Sequence, residues 1–286
     1  MTPAPAPAPA PGAAPALESS PAPAAAPDAA GALLDVRGIS IAFGGLKAVQ
    51  DFSIAIPRGG LYGLIGPNGA GKTPCFILLT GVYRPQTGSI TLDGARVNGL
   101  PPHKIAAAGL SRTFQNIRLF GELSVLDNVM LGCHLRGRHT LVGTLLRTPG
   151  HVAQERAMAK RALDLLGIFN LGDRAQEQAK NLPYGDQRRV EIARALATEP
   201  KVLLLDEPAA GMNPQEKKDL ALTIRRIRDV FGLAVLLIEH DMGLVMDICE
   251  RITVLDYGVT IARGTPREVQ DNPKVIEAYL GVASEE

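Results

Sequence analysis

The chain has 286 residues, 46% of them hydrophobic, and a formal net charge of +1 from 30 Lys and Arg against 29 Asp and Glu. This length and apolar content are enough for a sizeable core in one large or two small domains. The balanced charge argues against a nucleic-acid partner, and no run of about 18 or more apolar residues predicts a membrane span, so any membrane connection should run through a partner protein.

The first thirty residues contain nine Pro and thirteen Ala. So few large apolar groups cannot offset the entropy of ordering, and we predict a disordered tail over residues 1–33. Prolines interrupt the segment and no Lys or Arg precedes Arg37, so it is not predicted to be a signal peptide. A second short tail is predicted at residues 282–286.

Strand signals begin at Leu34. The stretches "LLDVRGISIAFGG", "AVQDFSIAIPRGG" and "GSITLDGARV" are rich in β-branched residues and are bounded by glycines, which predicts an antiparallel β-subdomain. The short apolar strand "LYGLIG" then leads into a glycine-rich loop. A loop of this kind should open a helix, here from about Lys72 to Thr80.

The loop itself, "GPNGAGKT", fits the phosphate-binding pattern G-x-x-x-x-G-K-[ST] with Gly66, Gly71, Lys72 and Thr73 in place. Such a loop binds phosphate through backbone N–H groups at a helix N-terminus. The next residue, Pro74, has no N–H. The sequence therefore predicts a nucleotide site that lacks one phosphate donor.

The region from Pro101 to about Leu182 is predicted to be a helical lobe, with Ala157, Leu163 and Leu166 spaced among charged residues. After it, "KVLLLDEP" and "LAVLLIEHD" are predicted to be buried strands of a parallel sheet. The segment between them, "LALTIRRIRDVFG", predicts a helix stopped by Gly232 whose apolar stripe comprises Leu220, Ile224, Ile227 and Phe231.

Two further local signals lie near the end of the chain. A hairpin is predicted in "RITVLDYGVTIARG", turning near Tyr257 and Gly258. In "TPRE", Thr265 and Glu268 form a predicted capping box with Pro266 at the first helical position.

The three cysteines, Cys75, Cys133 and Cys249, have no metal-ligand or redox spacing and are interpreted as buried residues.

Two carboxylates, Asp206 and Glu207, follow the strand of residues 202–205. The carboxyl ends of parallel strands form the edge at which ligands bind. Asp206 could therefore hold Mg²⁺, directly or through water, and Glu207 could orient and deprotonate an attacking water. The alternative is an acidic strand end that faces solvent.

Several motifs in this order resemble ATP-binding cassette (ABC) ATPases. "LPYGDQ" resembles the signature motif of that family, "LLLDEP" its acidic strand, "RTFQ" its glutamine loop and "IEH" its histidine loop. The stretches "YGDQRRVEIARAL", "DEPAAGMNP" and "GTPREVQDNPKVIEAYLG" are similar to the ATP-binding subunits of branched-chain amino acid importers. The resemblance covers residues 34–281.

This resemblance implies an α/β fold, a P-loop NTPase of the ABC cassette type with an antiparallel β-subdomain and a helical lobe at about residues 112–190. It implies ATP and Mg²⁺ as cofactors, with Glu207, His240 and Gln115 as catalytic residues and Thr73, Gln115 and Asp206 at the metal. Its ATP-binding residues correspond to Phe43, Gly66, Pro67, Asn68, Gly69, Ala70, Gly71, Lys72 and Thr73. Phe43 would stack on adenine, although it could equally be a core residue.

The resemblance also implies partners. Two cassettes pair head to tail, so Tyr184, Gly185, Asp186 and Gln187 of one copy would complete the phosphate site of the other, and Asn213 would lie in the loop between the two sites. Two transmembrane permease subunits and, indirectly, a solute-binding protein would complete an importer at the cytoplasmic face of the membrane. The glutamine loop would sense the permease.

Two departures from the family pattern bear on this interpretation. The common signature is Leu-Ser-Gly-Gly-Gln, whereas Pro183, Tyr184 and Asp186 stand at three of its positions here. Pro74 stands where a second Thr or Ser is usual. The favoured hypothesis is an ATPase subunit for uptake of hydrophobic amino acids, with urea and amides as open substrate alternatives. The other hypothesis is a nucleotide-sensing cassette with little turnover.

Overall fold

The computed structural model describes residues 31–136 and 148–280. Most of the predicted N-terminal tail, residues 1–30, and the whole predicted C-terminal tail, residues 282–286, lie outside these ranges. The first strand begins at Ala32, two residues before the predicted start of the domain.

The strands of the described residues form two sheets. The bounds are β1 Ala32–Phe43, β2 Leu46–Pro57, β3 Leu61–Ile65, β4 Thr87–Leu92, β5 Ala95–Arg96, β6 Leu110–Arg112, β7 Val202–Asp206, β8 Ala234–Ile238, β9 Arg251–Asp256 and β10 Val259–Gly264. A four-stranded antiparallel sheet has the order β2-β1-β4-β5 and confirms the predicted β-subdomain. A six-stranded sheet has the order β10-β9-β3-β8-β7-β6, parallel except for the β9–β10 hairpin.

The helices of the described residues are α1 Lys72–Leu79, α2 Pro102–Ala108, α3 Val125–Cys133, α4 Pro149–Ile168, α5 Tyr184–Ala197, α6 Pro214–Phe231, α7 Met242–Ile248, α8 Pro266–Gln270 and α9 Pro273–Leu280. Two 3₁₀ turns lie between α4 and α5, at Gly172–Arg174 and Ala179–Asn181. None of these helices is long and apolar enough to cross a bilayer.

The six-stranded sheet is buried on both faces, as expected for parallel strands covered by helices. Along β7, Leu203 and Leu205 pack in the core that includes α3, α5 and α6. Val202 and Leu204 pack in the second core, with α1 and the antiparallel sheet. This alternation follows from the two-residue period of a strand.

The local signals around the predicted helices agree with the structure. Gly232 ends α6 with a φ of 59°, and the Thr265–Glu268 capping box is present at α8. Leu220, Ile224 and Ile227 are buried as predicted, but Phe231 is 39% exposed because α6 ends at this residue, beyond the core.

The region around residue 112 differs in detail from the sequence-based expectation. We expected the helical lobe to start there, whereas Arg112 is the last residue of β6, an edge strand that pairs in parallel with β7. A strand of three residues is too short to show an alternating pattern.

Cys75, Cys133 and Cys249 are all buried, as predicted from the sequence.

Candidate functional site

The glycine-rich loop connects β3 to α1 in a conformation that needs its glycines. Gly66 has a φ of 153°, and a Cβ atom there would lie 2.1 Å from the Leu255 carbonyl oxygen. Gly71 has a φ of 99° and caps α1, and a Cβ atom there would lie 2.5 Å from the Ala48 carbonyl oxygen. Larger residues at either position would displace the loop.

A cavity of about 370 Å³ lies against this loop and α1. It brings the phosphate-loop residues together with two predicted catalytic side chains from distant parts of the chain. Its walls are formed by Leu46, Lys47, Ala48, residues 68–74, Gln115, Glu207, Tyr257 and Gly258.

Lys72 is the one buried cation of the loop, with 8% of its surface exposed. Its ammonium donates to the carbonyl oxygens of Gly66 at 2.6 Å and Pro67 at 2.9 Å. Burial lowers the pKa of Lys72, while the carboxylates of Glu207 and Asp206 act in the opposite direction. The ammonium is therefore held against the loop and beside the two carboxylates.

Pro74 is the third residue of α1, and it also lines the cavity. The first intrahelical bond after the cap runs from the Cys75 N–H to the Gly71 carbonyl, at 3.1 Å. The N–H that proline lacks would thus have no partner within the helix. Pro74 therefore removes no hydrogen bond from the helix. What it removes is a backbone N–H donor at the wall of the cavity.

Asp206 is buried, with 1% of its side chain exposed, and its Oδ2 accepts a hydrogen bond from Arg112 at 2.6 Å. Burial raises the pKa of Asp206, and the Arg112 guanidinium acts against this rise. The Oδ1 atom is buried and has no hydrogen-bond partner. An unpaired buried carboxylate oxygen fits a site for a hard cation or its bound water.

The described residues contain no group of three His, Cys, Asp or Glu side chains able to hold a metal by themselves. This donor set still fits Mg²⁺, because Mg²⁺ in nucleotide sites is bound by one or two protein oxygens, waters and phosphates. Thr73 and Gln115 add oxygen donors on the cavity wall, and Asp206 directly precedes Glu207, which also lines that cavity.

Glu207 lies at the cavity wall with 20% of its side chain exposed. Its φ is 46°, in the left-handed region that only a small fraction of non-glycine residues adopt. The Gln115 amide donates to Glu207 Oε2 at 3.0 Å, and His240 Nδ1 lies 3.9 Å from the same oxygen. Three residues predicted to be catalytic are therefore within one cluster, although His240 itself is 62% exposed.

Glu239, to which no sequence motif assigns a role, is fully buried beside His240. Its carboxylate accepts hydrogen bonds from the backbone N–H groups of Ala209 at 2.7 Å and His240 at 3.2 Å. Burial raises the pKa of Glu239, and these hydrogen bonds act against the rise. The residue joins the strand end that carries His240 to the segment after Glu207.

Phe43 lies at the end of β1 and is 43% exposed. Its ring packs edge to face on Tyr83, with centroids 5.2 Å apart and an interplanar angle of 73°. Phe43 does not form the cavity wall, but Leu46, which pairs with it across the β1–β2 turn, does. Neither Leu46 nor Tyr257 was predicted to line the nucleotide site, because no local sequence signal connects these residues to the phosphate loop.

Tyr184 to Gln187 form the first turn of α5, and none of these four residues lines the cavity of the same chain. The first helical hydrogen bond of this turn runs from the Gln187 N–H to the Pro183 carbonyl, at 3.0 Å, and no side chain caps the helix. The N–H groups of residues 184–186 therefore remain free of intrahelical partners, as at any helix start. Asp186 is held by Arg174 and Arg189 at 2.8 and 3.2 Å.

Asn213 caps α6, where its side chain accepts from the N–H groups of Gln215 and Glu216. The start of α5 lies beside this cap, since a Cβ atom on Gly185 would be 3.4 Å from Glu216 Oε1. The signature segment and the loop before α6 are thus adjacent within one chain.

The sequence matches two protein families. One, described as "ABC transporter", matches residues 49–210, and the other, described as "Branched-chain amino acid ATP-binding cassette transporter", matches residues 259–285. The first match includes the phosphate loop, Gln115, the start of α5 and Glu207.

Curated relatives match over nearly their whole length. The high-affinity branched-chain amino acid transport ATP-binding proteins BraF of Pseudomonas aeruginosa and LivG of Escherichia coli are each 46% identical over 251 residues, 88% of this chain and 98% of theirs. The lipopolysaccharide export system ATP-binding protein LptB of Escherichia coli is 35% identical over 250 residues, 87% of this chain and 98% of its own.

Solved structures agree with the fold. A nucleotide-free ATP-binding cassette from an ABC transporter superimposes with a TM-score of 0.76 at 28% identity, covering 87% of this chain and 98% of its own. An ATP-binding cassette of an ABC transporter in its ADP conformation superimposes with a TM-score of 0.77 at 29% identity, covering 87% of this chain and 99% of its own. The predicted fold class is confirmed.

Proposed function

Because this chain belongs to the family of ABC transporter ATP-binding proteins, we propose that it hydrolyses ATP to drive uptake of branched-chain or related amino acids. One observation carries the proposal: Gln115 and Glu207 meet over the phosphate loop in one cavity. The 46% identity to BraF and LivG, whose names specify branched-chain amino acid transport, supports the substrate class.

The phosphate loop supplies the nucleotide site. Its free backbone N–H groups and the N-terminus of α1 favour the negative charge of phosphates. The Lys72 ammonium would exchange the Gly66 and Pro67 carbonyls for β- and γ-phosphate oxygens. Thr73, Gln115 and Asp206 would hold Mg²⁺, which when bound neutralises charge on the phosphates.

Glu207 serves as the general base in this proposal. Its Oε2 accepts from the Gln115 amide, which holds the carboxylate at the cavity, where it can orient a water and accept its proton. His240, whose Nδ1 lies 3.9 Å from the same oxygen, would contact the γ-phosphate. Glu239 fixes the backbone N–H of His240 and would keep that side chain in place.

A second cassette would complete the site. The free N–H groups at the start of α5 and the positive end of its dipole would face the γ-phosphate held by the other chain. This explains why Tyr184 to Gln187 do not line the cavity of their own chain. ATP would join the two cassettes and hydrolysis would release them, which is differential binding to open and closed states.

ATP-binding proteins of ABC transporters work with permease subunits in the membrane, and a mostly apolar groove of about 420 Å³ offers a docking place for one. The groove lies between the end of β6 and the helical lobe, and is bordered by residues that include Phe114, Phe120, Leu131 and Ala195. Phe114 precedes Gln115, so a permease segment in this groove would lie next to the glutamine loop. We propose two permease subunits, one for each cassette, with a solute-binding protein reached through them, and a peripheral location at the cytoplasmic membrane face.

A nucleotide-sensing cassette with little turnover is the second candidate, because Pro74 removes a phosphate donor and Pro183 changes the signature. The cluster of Glu207, Gln115 and His240 favours the enzyme, since a site that only binds nucleotide does not need a general base.

The substrate class is tested in proteoliposomes that contain this chain, its permease subunits and the solute-binding protein. Leucine, isoleucine and valine are expected to stimulate phosphate release, which Glu207→Gln should abolish. Stimulation by urea or a short amide instead would overturn the amino acid assignment while leaving the ATPase assignment intact.

A further inference from the structure

Arg112 is the first residue of the "RTFQ" stretch, and it contacts the predicted metal site although no role was assigned to it from the sequence. Its side chain is 11% exposed, and one guanidinium nitrogen lies 2.6 Å from Asp206 Oδ2. The guanidinium also lies over two rings, 5.5 Å from the centroid of Phe76 and 5.7 Å from that of Phe114. Phe76 is a fully buried residue of α1, so the guanidinium contacts a ring that is fixed in the core.

This arrangement fixes one oxygen of Asp206 and leaves the other free. Oδ2 accepts from Arg112, whereas Oδ1 is buried without a hydrogen-bond partner. A planar guanidinium that contacts two aromatic rings is a more rigid donor than the flexible ammonium of lysine. The rotation of the carboxylate is therefore set by a residue from β6, the neighbouring strand.

We propose that Arg112 is a positioning residue for the metal site, which holds Asp206 Oδ2 so that Oδ1 is presented to the Mg²⁺ of a bound nucleotide. This inference rests on the proposed function. Groups that orient a metal ligand commonly contribute about 10- to 100-fold to metal affinity. Arg112 should contribute within this range without contacting the metal or the nucleotide.

Arg118 provides a matched control. Its guanidinium stacks on the other partner of Arg112, the Phe114 ring, at 4.6 Å from the centroid. Asp206 accepts from Arg112 and has no ion pair with Arg118. Arg118→Met thus removes a cation stacked on the same ring and leaves the carboxylate untouched.

The test measures Mn²⁺ binding by electron paramagnetic resonance in the complex of the full-length chain with saturating ADP. Arg112→Met should weaken Mn²⁺ binding about tenfold, while Arg118→Met should leave it within about twofold of wild type. ADP affinity in EDTA should be the same in all three proteins, because Arg112 acts only through the metal ligand. Equal Mn²⁺ affinity in wild type and Arg112→Met, or equal losses in both variants, would overturn the inference.

A double-mutant cycle separates positioning from a general structural role. In an Asp206→Asn background, Arg112→Met should cause no further loss of Mn²⁺ affinity beyond about twofold, since the residue acts through Asp206. Additive losses would contradict the proposal.

Arg112→Lys keeps the charge and is the variant to use if Arg112→Met does not fold. Its flexible ammonium should restore part of the affinity, leaving a loss of about threefold, and a full wild-type value would contradict the positioning role. If ADP fails to bind the wild-type protein in EDTA and with metal, the proposed function and this inference fall together. Bound ADP with unchanged Mn²⁺ affinity removes this inference alone.

Discussion

Replacing Pro74 by threonine is expected to tighten Mg-ATP binding about tenfold, equivalent to about 1.4 kcal/mol. Pro74 lines the cavity at the third position of α1, where a backbone N–H would have no partner in the helix and would face the nucleotide. Threonine adds that N–H and a hydroxyl. A hydrogen bond to a charged group contributes about 1.5–3 kcal/mol, so tenfold corresponds to one such bond at the lower end of this range.

Pro74→Ala and Lys72→Ala complete the series. Alanine restores the backbone N–H without adding a hydroxyl. The Mg-ATP affinity of Pro74→Ala should therefore lie between those of wild type and Pro74→Thr. Lys72→Ala should weaken Mg-ATP binding far more than Pro74 does, because it removes the buried ammonium that we propose pairs with the β- and γ-phosphates. Calorimetric titration with Mg-ATP in a Glu207→Gln background, which prevents turnover, measures all four affinities.

The Pro74→Thr substitution should lower the stability of the fold while it raises the affinity for Mg-ATP. Proline restricts the unfolded chain, so its removal should cost about 0.4–1 kcal/mol of folding free energy and lower Tm by up to about 4 °C. Unchanged Mg-ATP affinity in Pro74→Thr would show that the loop binds phosphate without a donor at position 74. Absent binding in the unmutated protein would favour a cassette that has lost its nucleotide.

Three further results are expected. Glu207→Gln should bind ATP normally, lose most turnover and accumulate an ATP-bound dimer in gel filtration, and equal turnover of variant and wild type would exclude Glu207 as the base. Phe43→Ala should weaken ATP binding about tenfold, the effect of losing one base stack, with Phe43→Tyr near wild type, and unchanged affinity would place the ring away from the base. Burial raises the pKa of Glu239, so its contribution to stability is full below the unfolded pKa and is lost as pH rises through the folded pKa. The Tm of Glu239→Gln relative to wild type should therefore increase as pH rises above the ordinary glutamate pKa of about 4.3, and a constant difference would contradict this.

The parts of the fold that could be predicted are those with local signals. The phosphate loop, the helix stop at Gly232 and the capping box at Thr265 each depend on residues a few positions apart, and the structure has all three. The buried strands β7 and β8 were predictable because uninterrupted apolar runs of this length indicate parallel strands.

The contacts that tune the site could not be predicted, because they join distant residues. Arg112 and Asp206 are 94 positions apart, and β6 is too short to show a strand pattern. Tyr257 reaches the cavity because the β9–β10 turn is fixed to the phosphate loop by the bond from the Gly258 N–H to the Ala70 carbonyl. These segments are far apart in the sequence, and they meet because of the order of the strands in the sheet.

Phosphate release shows whether this chain turns over ATP despite Pro74. It is measured for the chain assembled with the proposed permease subunits and solute-binding protein, with Glu207→Gln assembled in the same way as the reference. Release should rise with added solute and be nearly absent in Glu207→Gln. Tight ATP binding with equally negligible release from both proteins would instead identify the chain as a nucleotide sensor.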